Sequence, residues 1–234
     1  MKKYVPSCTL SLPSWVIPGT YEENLKFLNS QKEIEGVELL FFLYDDKIKK
    51  ELDSHWNKIL EFKERFVFTA HLPDKLLPVH EELVARLAPY VRHFVFHPDI
   101  KNPSAQAQLI KEWKKHYKSI FLAENTTDGY LDALLPYLNE DADICMDTGH
   151  LLISGKNPAA FYTQHRDRIK EIHFHGINLK QAAIDGRLAD HRRFYGNEEG
   201  FEELVPLLEN YSGVLNLELF SWEEIEPCVR ILRA

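Results

Sequence analysis

Eight short runs rich in β-branched and aromatic residues, separated by longer stretches whose apolar residues recur every three or four positions, constrain this chain more than any other feature. Such alternation marks βα units wound around a parallel sheet. The runs are Thr9 to Leu12, Gly36 to Leu43, Phe66 to Leu72, His93 to His97, Ser119 to Asn125, Asp143 to Asp147, Lys170 to His175 and Gly213 to Leu219. The spacing between them predicts helices over Tyr21 to Asn29, Ser104 to His116, Tyr130 to Leu138 and Phe201 to Asn210. Asp74 is placed to open a helix, Pro103 with Ser104 opens another, and Ser221 with Glu224 has capping-box spacing before the last. Eight strands in 234 residues fit one closed barrel, whereas open doubly wound sheets more often hold about five or six strands. The expected fold class is α/β, a single (β/α)8 TIM barrel occupying residues 1–234 as one domain.

Several function classes are disfavoured at once. No G-x-G-x-x-G or G-x-x-x-x-G-K-[ST] follows any strand, so nothing supports a dinucleotide or P-loop site. No apolar run approaches the roughly 20 residues of a membrane span, and Met1-Lys2-Lys3-Tyr4-Val5-Pro6 lacks the apolar core of a signal peptide. A cytoplasmic protein with no membrane partner is expected. Cys8, Cys145 and Cys228 are far apart and lack C-x-x-C spacing, so they read as buried thiols rather than disulfides or a thiolate zinc site. A formal net charge of −8 opposes a duplex nucleic-acid footprint, which needs a concentrated basic surface.

The eleven histidines direct attention to the strand ends. His71 ends the third run, His97 the fourth, Glu124 the fifth, Asp147 the sixth, His175 the seventh and Glu218 the eighth. In a parallel barrel these ends converge on one mouth, where barrel enzymes place their catalytic groups. Alternation also puts His173 with His175, and Cys145 with Asp147, on one face of each strand. Burying so many ionisable groups without a compensating cation is costly. Imidazole and carboxylate donors without thiolates suit zinc, manganese or iron, and bridging carboxylates suit a cluster. A divalent cofactor of one to three ions, zinc foremost, is expected, which makes this a metal-binding domain. His55, His80, His93, His116 and His165 are assigned to helical or outward positions. The long connection from Gly176 to Glu199 carries Lys180, Arg187, Asp190, His191, Arg192 and Arg193, content that argues for function.

At His71-Leu72-Pro73, Phe96-His97-Pro98, Ala123-Glu124-Asn125, Met146-Asp147-Thr148-Gly149-His150, His173-Phe174-His175 and Leu217-Glu218 the chain resembles the xylose-isomerase-like barrels. That superfamily includes endonuclease IV, sugar isomerases and epimerases, and inosose dehydratases. The resemblance implies a central metal site of Glu124, Asp147, His175 and Glu218, with His71 and His97 holding a second ion bridged through Glu124. It implies a third ion at His150 with Asp190 or His191. The endonuclease-type motif separates that aspartate and histidine by one residue, whereas Asp190 and His191 are adjacent.

Trp15-Val16-Ile17-Pro18, the strand Gly36 to Phe42, and His175-Gly176 followed by Asp190-His191 resemble the cobamide-remodelling phosphodiesterase branch. That likeness implies hydrolysis of the phosphodiester in the nucleotide loop of a B12-type cobamide, giving cobinamide phosphate and a ribazole-type nucleoside. Glu124 or Glu218 would orient the attacking water, and Arg192, Arg193 or Lys180 would neutralise phosphate charge. Trp15, Phe41, Phe42 and Tyr44 would wall the corrin ring. Two alternatives accompany this expectation: a metal-dependent sugar isomerase or epimerase in which Glu124 or Glu218 moves a proton, and an endonuclease IV-like phosphodiesterase. A binding protein without catalysis predicts missing ligands, and the ligand set is nearly complete.

Overall fold

The computed structural model describes residues 7–138, 140–180, 190–195 and 201–233, with only the backbone of Phe201 and Glu202. Met1 to Pro6 and Arg187 lie outside the described residues. In chain order the elements are β1 (Thr9–Pro13), α1 (Tyr21–Asn29), β2 (Gly36–Leu40), α2 (Asp46–Leu60), β3 (Val67–His71), α3 (Glu81–Leu87), β4 (Val91–Phe96), α4 (Pro103–His116), β5 (Ile120–Glu124), α5 (Tyr130–Leu138), β6 (Asp143–Asp147), α6 (Thr148–Ile153), α7 (Pro158–His165), β7 (Ile169–His173), α8 (Phe201–Leu208), β8 (Val214–Asn216) and α9 (Trp222–Arg233). Each strand pairs in parallel with the next, and β8 pairs with β1, so the sheet closes into the expected eight-stranded barrel. Among the described residues no helix is long and apolar enough to cross a membrane.

Local chemistry explains where the helices begin. Thr20 caps α1 through a reciprocal pair with Glu23: the threonine hydroxyl accepts from the Glu23 amide at 3.3 Å, and the Glu23 carboxylate accepts from the Thr20 amide at 2.8 Å. Asp45 caps α2 by accepting from the amides of Lys47 and Ile48, both at 2.9 Å. Asp74 opens no helix, contrary to the pattern. A 3-10 turn at Pro78–His80 leads into α3, and the Asp74 carboxylate instead lies 3.3 Å from His97 Nδ1.

Every strand end but that of β6 differs from the sequence reading by a few residues. β2 stops at Leu40 rather than Leu43, and the chain then turns out towards the Asp45 cap of α2. β4 ends at Phe96, β7 at His173 and β8 at Asn216. His97, His175 and Glu218 therefore stand one or two residues past the ladders, on the segments that leave the barrel.

The apolar core divides in two. The larger part lies between the sheet and the helices, where Phe94 stacks on Phe121 with ring centroids 5.3 Å apart and Trp113 closes against them. All three cysteines are buried, as expected. Inside the barrel the only apolar cluster among the described residues is Val95, Leu122 and Cys145. Beside it the lumen holds many buried polar groups: Ser11, Glu38, Thr69, His93, Glu171, His173 and Asn216. Contacts between non-neighbouring strands prove the inward direction, with Glu38 of β2 reaching His173 of β7 and Glu171 of β7 reaching both His93 of β4 and Thr69 of β3. Such lumens are ordinarily filled by layers of bulky branched residues. His93 is thus neither outward nor helical as expected, because closing the sheet turns its face of β4 into the barrel.

Candidate metal centre

Glu124, the last residue of β5, is the hub of the mouth. Its Oε2 lies 3.1 Å from His71 Nε2, 3.5 Å from His97 Nε2 and 3.5 Å from His173 Nδ1, while its Oε1 lies 3.3 Å from His150 Nδ1. Burial opposes ionisation of this carboxylate, but His97 and His173 outweigh it and hold the group well below the usual carboxylate range. The same neighbours act in return: burial alone would lower His97, yet Glu124 and Asp74 push it up to about 10.

Asp147 works on two sides. One oxygen caps α6 by accepting from the His150 amide at 2.6 Å, which fixes the helix that carries His150. The other lies 3.1 Å from His175 Nε2. Asn125 ties this strand end to the previous one, accepting from the Asp147 amide and donating to its carbonyl, each at 2.9 Å. Gly149 is required here, because a Cβ would fall 1.9 Å from the His175 ring. Burial lowers His150 and His175, but Asp147 leads the opposing charges, which push them up to about 12 and about 9.

The long connection returns to the mouth through an antiparallel bridge between Gly176 and Arg192. That return places Asp190 Oδ2 3.2 Å from His150 Nε2 and His191 Nδ1 3.7 Å from Glu218 Oε2. His191 has a φ of +49°, in the left-handed region that non-glycine residues seldom adopt. This turn lets the adjacent Asp190 and His191 both approach His150, so the missing spacer residue does not separate them.

Two side chains escaped the sequence reading. His173, noted only for its inward face, stands 3.1 Å from Glu218 Oε2 and 3.5 Å from Glu124 Oε2 through Nδ1. Asp74 was read as a helix start and instead faces the outer nitrogen of His97. Period-two alternation along β7 was the available signal for the first; nothing in the local sequence marked the second.

The outlying expectations fare differently. The Arg193 guanidinium stacks over the Tyr195 ring at 4.5 Å. Arg192 supplies its backbone to the Gly176 bridge. Lys180 lines a groove of about 490 Å³ with Lys156, Asn157, Asn178 and Glu203. Trp15 is half-buried with its ring 6.5 Å from that of Tyr21, and Phe41 is fully buried in the outer core, so Phe41 does not wall the mouth. Phe42 does, with its ring 4.3 Å from that of His71.

The donor set suits a divalent cation. Groups of three donor atoms within 4.8 Å of one another occur at His71, His97 and Glu124, at His150, Asp190 and His191, and at His175, His191 and Glu218. His173 Nδ1 and Glu218 Oε2 are buried side by side without a hydrogen-bond partner, an arrangement that costs free energy unless a cation lies between such donors.

No family model matches the chain. It is 36% identical over 81 residues to an inosose dehydratase of Lacticaseibacillus casei, a stretch covering 34% of this chain and only 26% of that protein. In structure it is similar to a probable 3-DHS dehydratase of petrobactin synthesis from Bacillus anthracis, with a TM-score of 0.68, 14% identity and coverage of 97% of this chain and 99% of that one. It is also similar to a 3-keto-D-glucoside 4-epimerase from E. coli, with a TM-score of 0.66, 12% identity and coverage of 96% and 97%. These findings correct the expectation of a hydrolase opening the nucleotide loop of a cobamide, since the proteins found are dehydratases and an epimerase, named for other substrates. In fold the chain is a closed (β/α)8 barrel like those of these two proteins.

Proposed function

We propose that this protein is a divalent-metal-dependent enzyme of the sugar isomerase, epimerase or dehydratase class, acting on a small polyhydroxylated carbonyl compound. The observation that carries the reading is the convergence of two buried carboxylates, Glu124 and Glu218, on one nitrogen of His173 at the barrel mouth. Glu124, Asp147, His175 and Glu218, joined by His173, would hold the central ion; His71 with His97, and His150 with Asp190 and His191, offer further donors. Zinc suits this set of imidazoles and carboxylates, as do manganese and iron. When bound, the cation polarises the carbonyl and hydroxyl oxygens of the substrate.

Epimerisation, aldose–ketose isomerisation and dehydration of a hydroxyketone share one elementary step, removal of a proton from the carbon beside a carbonyl. Glu218 and Glu124 are the groups suited to accept and return that proton. Both carboxylates are held ionised: burial opposes this, but His173 outweighs it at Glu218 and His97 with His173 at Glu124. Phe42 gives the mouth an apolar wall against which a sugar face can rest. The resemblance to an inosose dehydratase supports a dehydration as readily as an epimerisation.

Zinc- or manganese-loaded protein should exchange substrate carbon-bound hydrogen with deuterated water for at least one member of a panel of ketohexoses, inososes and ketoglycosides, read by proton NMR. A dehydratase would add loss of water, read as new ultraviolet absorbance. Metal-loaded protein that exchanges no hydrogen in any of them would sink the reading.

A further inference from the structure

Below the mouth the lumen holds a second set of polar contacts for which the proposed reaction has no direct use. His173 Nε2 points down the barrel to Glu38 Oε1 at 3.3 Å, a buried contact outside hydrogen-bonding geometry, opposite in direction to the Nδ1 that faces Glu218 and Glu124. The other oxygen of Glu38 accepts from Asn216 Nδ2 at 2.6 Å. Glu38, Asn216 and His173 are all fully buried. Space for the meeting of Glu38 with Asn216 comes from β1 between them, where Ser11 is paired with Gly36 on one side and with Asn216 on the other.

We infer that Glu38 is a positioning residue which fixes His173 as a cation ligand, with Asn216 steadying Glu38. This rests on the reading that the mouth holds a divalent cation. A neutral imidazole carries one N–H and one lone pair. The Glu38 carboxylate favours the tautomer with its proton on Nε2, 3.3 Å away, which leaves the Nδ1 lone pair directed at the Glu218 and Glu124 oxygens, the arrangement in which a carboxylate orients a metal-ligating histidine. Loss of that carboxylate frees the ring to turn and lets the proton occupy Nδ1. Glu38 lies in the middle of β2, and only the closed barrel brings it under His173 on β7.

The test uses the whole protein freed of metal, titrated with zinc against a competing chelator and with cobalt(II), whose visible spectrum reports ligand geometry. Glu38→Gln should fold, weaken zinc binding by about 10- to 100-fold and alter the cobalt spectrum. Thr69→Val, which perturbs the lumen at Glu171 instead, should leave both readouts unchanged; equal weakening in the two variants would reduce Glu38 to general packing and overturn the inference. So would an unaltered affinity and spectrum in Glu38→Gln while His173→Ala loses the metal. Should Glu38→Gln fail to fold, Asn216→Ser carries the same expectation and the same refutation. Failure of the unsubstituted protein to bind either cation would instead bring down the underlying reading of the mouth.

Discussion

The two faces of the one sheet obey different rules. Outward, against the helices, the strands present Phe94, Phe121 and their neighbours to a dry apolar layer. Inward, they present His93, Glu171, Glu38 and His173 beside a small apolar cluster of Val95, Leu122 and Cys145. The outer layer gains stability from area removed from water, roughly 25 cal/mol per Å². The lumen gains little in that way, because buried ion pairs return about what their desolvation costs. Fold stability and chemistry are thus separated by the thickness of a strand.

The sharpest way to break this division is at its inner edge. Glu124→Ala should abolish high-affinity metal binding and cut turnover by about 10²- to 10⁴-fold with a normal circular dichroism spectrum; retained metal by elemental analysis would show that the mouth is not the centre. In the outer layer Phe121→Ala should cost about 3–5 kcal/mol of unfolding free energy in denaturant titration, with zinc affinity in the folded protein untouched. Deeper in the lumen, Glu171→Gln leaves His93 without its buried partner and should cost about 3–5 kcal/mol, whereas His93→Leu with Glu171→Leu should be neutral or stabilising by about 1–4 kcal/mol. A double variant as damaged as the single one would mean that the lumenal pair is a stability device after all.

A pH series of the metal-free protein gives a smaller effect with a definite sign. His97 and His175 ordinarily titrate at 6.5 and are raised to about 10 and about 9, burial being outweighed by Glu124 and Asp74 in the first and by Asp147 in the second. Groups raised in the folded state stabilise it fully below their unfolded value and lose that contribution as pH climbs through the folded one. The melting temperature of the metal-free protein should therefore fall between pH 6.5 and about 10. Bound zinc should remove this slope, since its ligands are already deprotonated. The smallest effect belongs to the helix layer: Asp45→Ala, which deletes the cap of α2, should cost about 1 kcal/mol and change neither metal affinity nor the pH profile.

The outer layer was legible in the amino-acid order because apolar runs and amphipathic stretches carry their own periods. The mouth was legible too, since a parallel barrel assigns one ligand position to each strand end. The lumen was not. In Glu171-Ile172-His173 the polar positions alternate as they would on a solvent-facing sheet, and only closure of the barrel converts that face into an interior. Choosing between His173 and His175 fails for a related reason: they share a face, and the end of the β7 ladder at His173 depends on pairing with β8. The reach of Asp74 to His97 is set by a loop conformation with no periodic signature.

The bridge between Gly176 and Arg192 bears on how such a protein diversifies. It pins the neck of a long excursion, and Asp190 and His191 stand just inside that neck. A Cβ at Gly176 would lie 2.8 Å from the Arg193 carbonyl oxygen, so the close approach depends on glycine. Change within the span is then insulated from Asp190 and His191, because the bridge at its neck holds the backbone beside them.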